Sequence, residues 1–297
     1  MIKFNQSKLT IIVGIVMVAS WMLSACSRPL IDECVDSKSR VVVDVRTFSL
    51  GFEEFRAKTG NNSATRLSFA VFDTKGTLVG TAIHQESSDE SFGTFELELY
   101  PGNYTLVAVA HNGDADAVIT SPTSVTLPGT TFTDTFTKVQ NLTVESGKDC
   151  NLSMTLPRIT SAFILRLTDT PPANVKEIKV IVNTGGFLLS QVNPSTLGIN
   201  PETGLASNNW KFTHTIPVAD ISKDLLLYFI GQNNPTAVNI KATAYATDGT
   251  EIISHTINNV SLVPNRKTIA TGNFFKSQAT GMFTVNSTWN PDNEMNY

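Results

Sequence analysis

Short runs of alternating apolar and polar residues, each closed by Gly, Pro, Asn or Asp, recur along the chain, and no segment beyond residue 25 keeps a long 3.6-residue apolar period. That pattern excludes a helical bundle and predicts short β-strands joined by tight turns. In "RVVVDVRTF", Val41, Val43 and Val45 fall on one face of an extended chain, with Val42, Asp44 and Arg46 on the other. "RLSFAVFDTKGTLVGTAI" predicts a hairpin around Asp73-Thr74-Lys75-Gly76, where Gly76 is free to take positive φ. "GTFELELYPGNYTLVAVAHNG" predicts a second hairpin closed by a type II turn at Pro101-Gly102. "TTFTDTFTK", "NLTVESG" and "NLSMTLPRI" continue the alternation.

Around Pro157 the pattern restarts. "SAFILRLTD" and "VKEIKVIVNTG" are expected to pair across "TPPAN", and the Asn/Pro/Gly/Ser-rich stretch 183–209 reads as a long loop, functional or decorative. "WKFTHTIPV" puts Trp210, Phe212, His214 and Ile216 on one face. "DLLLYFIG" follows, then a hairpin around Asp248-Gly249. Only residues 50–58 and 218–224 suit a short helix or helical turn. The expected fold is all-β: an N-terminal β-sandwich over residues 40–156 and a C-terminal one over 157–297.

The N-terminus reads differently. Lys3 and Lys8 precede an apolar run from Leu9 to Leu23, then the small residues Ser24 and Ala25. This is the layout of a secretory signal, with an apolar part shorter than the roughly 18–20 residues of a membrane-spanning helix. Leu23-Ser24-Ala25-Cys26 resembles the lipobox of bacterial lipoproteins. The resemblance implies that residues 1–25 are removed and that the Cys26 thiol forms a thioether to diacylglycerol, so Cys26 is a tether and residues 26–39 a lipid-anchored lead-in. The remaining cysteines, Cys34 and Cys150, are an even pair in an exported chain, which predicts a disulfide; two separate buried thiols are the alternative.

Composition narrows the chemistry. With 22 Lys+Arg against 26 Asp+Glu the net charge is −4, and losing Lys3 and Lys8 makes the processed chain more acidic, so no nucleic-acid partner is expected. At 41% hydrophobic residues disorder is not expected either. No nucleophile elbow, phosphate loop, zinc-protease or paired-cysteine motif is present, so neither enzyme activity, cofactor nor metal is expected. His84 and His111 read as solvated strand-end residues, and His214 as a buried, hydrogen-bonded one. The acidic clusters Glu86/Asp89/Glu90 and Asp114/Asp116 lack the calcium-loop spacing and read as solvated loops. The Asn-x-Ser/Thr triplets, Asn103-Tyr104-Thr105 among them, follow from composition. Trp210 and Trp289 offer stacking faces for a sugar but lie in period with apolar neighbours, which favours the core.

Several motifs together resemble the fimbrillin superfamily of the Bacteroidales. In "VSLVPNRKTIATGNFFKSQATGMFTVNSTWNPD" the similarity rests on Pro264, Asn265, Arg266, Thr268, Gly272, Asn273, Phe274 and Phe275, before a last strand ending at Trp289. "LSFAVFDTKGTLV" and "LYPGNYTLVAVAHNG" are similar to a hairpin and a strand of that family, while "CVDSKSRVVVDVR" and "CNLSMTLPRITSAF" are most like its minor-fimbrium anchor branch. The resemblance implies two tandem transthyretin-like sandwiches in a fimbrial component, lipid-anchored at the outer membrane through Cys26, facing the cell surface and used in adhesion. Its partners would be other fimbrial subunits, with any host or glycan receptor unspecified. One alternative is a polymerising shaft or tip subunit activated by cleavage after an arginine, with Arg46 and Arg56 the leading positions and Arg66 a third. The other is a glycan-binding outer-membrane lipoprotein.

Overall fold

The computed structural model describes residues 37–48, 64–185, 191–221, 224–233, 235–276 and 284–286. The first half holds β1 (Ser39–Phe48), β2 (Arg66–Asp73), β3 (Ile83–Glu86), β4 (Thr94–Leu99) and β5 (Gly102–His111). It continues with β6 (Val118–Ser121), β7 (Ser124–Thr126), β8 (Thr135–Val144) and β9 (Cys150–Pro157). The second half holds β10 (Thr160–Leu167), β11 (Val175–Asn183), β12 (Ile199–Asn200), β13 (Leu205–Ala206) and β14 (Lys211–Pro217). A 3-10 turn at Val218–Asp220, within the expected 218–224, leads to β15 (Leu225–Ile230), β16 (Thr236–Ala246), β17 (Glu251–Leu262), β18 (Lys267–Gly272) and β19 (Thr284–Asn286). The fold is all-β, as expected.

Sheet β4-β1-β9 packs on sheet β3-β2-β5-β8. The core between them includes Val41, Val43, Val45, Phe69, Phe95 and Leu106. Phe69 of β2 and Phe95 of β4 stack across it at 4.6 Å. The run "LSFAVF" in β2 does not alternate because both faces are buried. Leu67, Phe69 and Val71 face the β1 sheet, while Ala70 and Phe72 join a second cluster on the far side.

That second cluster runs without a break into the other half. Sheet β15-β10-β18-β19 and sheet β14-β11-β16-β17 supply most of its residues, Phe163, Val180, Phe212, Phe229 and Ile240 among them. Strands β6 and β7 share a small sheet with β12 and β13, where Val125 stands opposite Ile199. The stretch 183–209, expected as loop, therefore supplies two short strands that pair with each other, and β12 also pairs with β7 across the expected boundary near residue 157. It also delivers the chain to Trp210, which is fully buried, stacks on Phe229 at 5.6 Å and donates its indole N–H to the Ile230 carbonyl at 2.9 Å. Trp210 offers no exposed platform to a sugar. Trp289 lies outside the described residues.

Three hairpin expectations need correction. The turn at Asp73 forms as expected, with Gly76 at φ 76° and the Asp73 carboxylate accepting the backbone N–H of Lys75 and Thr77, both at 2.8 Å. The return limb, however, spends four residues, 79–82, between the Phe72↔Leu78 bridge and the Phe69↔Ile83 pair, where β2 spends two. Gly80, at φ 75°, lets the chain bulge out there. The expected second hairpin is a crossover: β4 pairs with β1 and β5 with β2 and β8. Gly102 has φ 158°, extended rather than the roughly +80° of a type II turn, so Pro101-Gly102 hands the chain from one sheet to the facing one. Likewise β10 and β11 sit in facing sheets instead of pairing. The fourth expected hairpin, β16–β17, forms around Gly249 at φ 84°.

The halves repeat one arrangement. β1 lies between antiparallel β4 and parallel β9, and β10 lies between antiparallel β15 and parallel β18. In each half the strand that leads the sheet is thus an interior one.

Candidate functional site: the first strand and its sheet

The period-2 pattern of β1 is realised fully. Val41 and Val43 are 0% exposed and Val45 is 2% exposed, each on the face packed against β2 and β5. Burying three valines stabilises the strand by roughly 1.5–3 kcal/mol apiece. Both edges are hydrogen-bonded: Ser39–Asp44 run against Leu99–Thr94 of β4, and Val41–Phe48 run beside Cys150–Pro157 of β9. The buried Ser39 hydroxyl donates to the Glu145 carbonyl at 2.8 Å, fixing the start of the strand to the turn before β9. On the solvent face Arg40 pairs with Glu96 at 2.9 Å and Arg46 with Asp44 at 2.6 Å. Exposed pairs of this kind contribute about 1 kcal/mol at most, so apolar burial and the two ladders hold β1.

Arg46 lies within β1, opposite Thr155, with its side chain in solvent. Arg66 lies inside β2, gripped by Asp116 at 3.0 Å and Glu86 at 2.8 Å, and the Asp116 hydrogen bond raises its pKa further. Cys150 opens β9, half-buried and opposite Val41. It therefore stands at the end of β1 where the chain arrives from the N-terminus, while Arg46 stands at the other end. Cys26, Cys34 and Arg56 lie outside the described residues.

The histidines do not converge. His84 is exposed and bonded to the Ser68 hydroxyl at 2.9 Å. His111 departs from its expected solvated state: it is 1% exposed, accepts the Gly113 N–H on Nδ1 at 2.9 Å, and burial, reinforced by the Arg66 charge, pushes its pKa down to about 4. His214, expected buried and hydrogen-bonded, is half-buried; its Nε2 makes no hydrogen bond, its ring edge meets Phe229 at 5.8 Å, and desolvation lowers its pKa to about 4. In the acidic cluster of residues 86–90, Asp89 caps its own turn by accepting the Glu86 N–H at 2.7 Å. Among the described residues no three His, Cys, Asp or Glu side chains gather as a metal site.

The sequence reading missed one feature. Beside β4, the bulge at residues 79–82 opens a slot of about 380 Å³ lined by Phe69, Val71, Val79, Ile83, Leu97 and Leu99. Val79-Gly80 interrupting an otherwise regular hairpin limb was the available signal.

Residues 49–181 match the family of the major fimbrial subunit protein (FimA). The fimbrillin likeness read from the sequence stands over this stretch, which begins one residue after β1. A candidate polysaccharide-binding protein from Bacteroides thetaiotaomicron shares the fold, with a TM-score of 0.55, 12% identity, and 84% of this chain and 96% of that one covered. A candidate adhesin from Bacteroides ovatus does so with a TM-score of 0.51, 14% identity, and coverage of 85% and 94%. The fimbrial anchor protein Mfa2 from Porphyromonas gingivalis aligns less closely, with a TM-score of 0.44, 14% identity, and coverage of 84% and 95%. No curated protein sequence matches the chain.

Proposed function

We propose that the chain is a lipid-anchored fimbrial component at the cell surface, the anchor or another minor subunit of an adhesive fimbrium, held in the outer membrane by acyl chains on Cys26. The observation that carries the anchor reading is the place of β1. The peptide chain that leads on from Cys26 enters the folded body as β1, which is interior to its sheet, bonded on both edges and buried along its valine face. Arg46 lies within the ladder to β9, where a protease that needs an extended, unpaired segment has poor access. A bridge from Cys34 to Cys150 would secure the same end of the strand. The FimA-family match supports the fimbrial setting, and adhesion is the matching role.

An arginine-specific protease tests this reading. An anchor stays full length from Cys26 and monomeric. Loss of the segment through Arg46 or Arg56, followed by ladder-like oligomers, would overturn it in favour of a polymerising shaft or tip subunit.

A further inference from the structure

β4 ends its sheet, with β1 on one side and no strand on the other among the described residues. The hydrogen-bond phase along it is set by Val45, whose N–H reaches the Gly93 carbonyl at 2.6 Å. By alternation Phe95, Leu97 and Leu99 turn their backbone groups to β1, while Thr94, Glu96 and Glu98 turn theirs outward. Both ends of the outward edge are closed. The Thr94 carbonyl accepts the Gln85 side-chain amide at 2.9 Å, and the Thr94 N–H reaches the Ser91 carbonyl at 2.7 Å. At the far end the Tyr104 hydroxyl donates to the Tyr100 carbonyl at 2.8 Å. Between these caps the backbone groups of Glu96 and Glu98 meet no backbone partner among the described residues.

The apolar slot lies alongside this open window. Leu97 and Leu99 line it from β4, and Val79 and Ile83 line it from the opposite sheet. A segment added to β4 would place alternate side chains over the slot and the intervening ones beside the exposed Glu96 and Glu98. Arg40 already engages Glu96, and among the described residues no ion pair is formed by Glu98, which lines the slot together with Lys38, whose ammonium lies over the Tyr100 ring. A second copy of β4 is a poor occupant, since edge-to-edge pairing would set these glutamates against each other.

We propose that the outer edge of β4 is a strand-addition site for an extended segment of another polypeptide, apolar at alternate positions and basic in register with Glu98. Nothing in the fold leaves to admit it, which distinguishes the site from any replacement of β1. It holds whether or not the chain is lipidated.

The probe is the blocked pentapeptide acetyl-Val-Lys-Val-Lys-Val-amide, titrated into the isotope-labelled full chain while backbone amide signals are followed. Saturable shifts are expected at residues 96–98 and 79–83. N-methylating one alternate set of peptide amides should weaken binding at least about tenfold, while methylating the other set leaves it nearly unchanged, because only alternate N–H groups of an added strand face the sheet. Glu98→Lys should reverse the preference toward acetyl-Val-Glu-Val-Glu-Val-amide. The proposal is overturned by absence of saturable shifts, by equal sensitivity to both methylation sets, or by shifts centred on Val41, Val43 and Val45, which would mean replacement of β1. It is also overturned if a ladder of oligosaccharides moves the same signals and the peptide does not, since the exposed Tyr100 ring would then mark a saccharide site.

Discussion

Arg158 and Asp134 form a buried bidentate ion pair: Nε donates to one carboxylate oxygen at 2.6 Å, Nη2 donates to the other at 2.9 Å, and each side chain is only 3% exposed. Asp134 precedes β8 and Arg158 lies between β9 and β10, so the pair ties the loop before β8 to the start of the second half. The remaining hydrogen-bonding capacity is used locally. Thr160 Oγ1 donates to Asp134 at 3.2 Å, and Arg158 Nη1 donates to the side-chain oxygen of Asn265, a residue held at φ 59°. The Phe136 ring lies 4.8 Å from the guanidinium.

Removing one partner strands the other charge away from water. Arg158→Met should cost about 3–5 kcal/mol of stability, and a combined apolar replacement of both residues should cost much less. Urea unfolding of the single and double variants measures this. A loss below about 1 kcal/mol in the single variant would show that water reaches the pair.

Cys26→Ala should release the protein from membranes, because one thioether carries the whole attachment proposed above. Fractionation of cells expressing the variant decides it. Unchanged recovery with the membranes would sink lipid anchoring while leaving the fold untouched.

A disulfide between Cys34 and Cys150 is expected in freshly isolated protein. Cys150 stands beside Val41, seven residues along the chain from Cys34, a reach that an extended backbone covers easily. Peptide mapping without reductant checks it. Two free thiols would remove the covalent lock on β1 and leave the valine face and the ladders to hold it alone.

Acid should destabilise the protein in a defined window. The folded pKa of His111, about 4, lies below its ordinary 6.5, so the unfolded chain binds the proton more tightly. Its contribution is whole above about pH 6.5 and is lost as pH falls through the folded value near 4, by up to about 3 kcal/mol. His214 acts in the same direction for the same reason, desolvation of the ring. His111→Asn should flatten the stability profile between these limits, measured as unfolding midpoints across the range. An unchanged slope would assign acid sensitivity to other groups.

Strand positions and most turn residues were legible without the structure because both are local. Alternation in "RVVVDVRTF" says which valines are buried whatever they pack against, and Gly76 and Gly249 take positive φ because the turns they close require it. The lipobox-like and fimbrillin-like motifs are local in the same sense, and the functional proposal starts from them. Pairing was not legible. β4 alternates and β5 carries the unbroken apolar run Leu106–Ala110, yet neither pattern says that one joins β1 while the other crosses to the facing sheet. Alternation records that a face is covered and not by which strand, so partner choice waits on how apolar faces meet in three dimensions. The burial of His111 and the sheet that unites β7 with β12 depend on the same meeting of distant segments. So does the open window at Glu96 and Glu98, which exists because β4 was carried to the edge of its sheet, with β1 its single strand neighbour among the described residues.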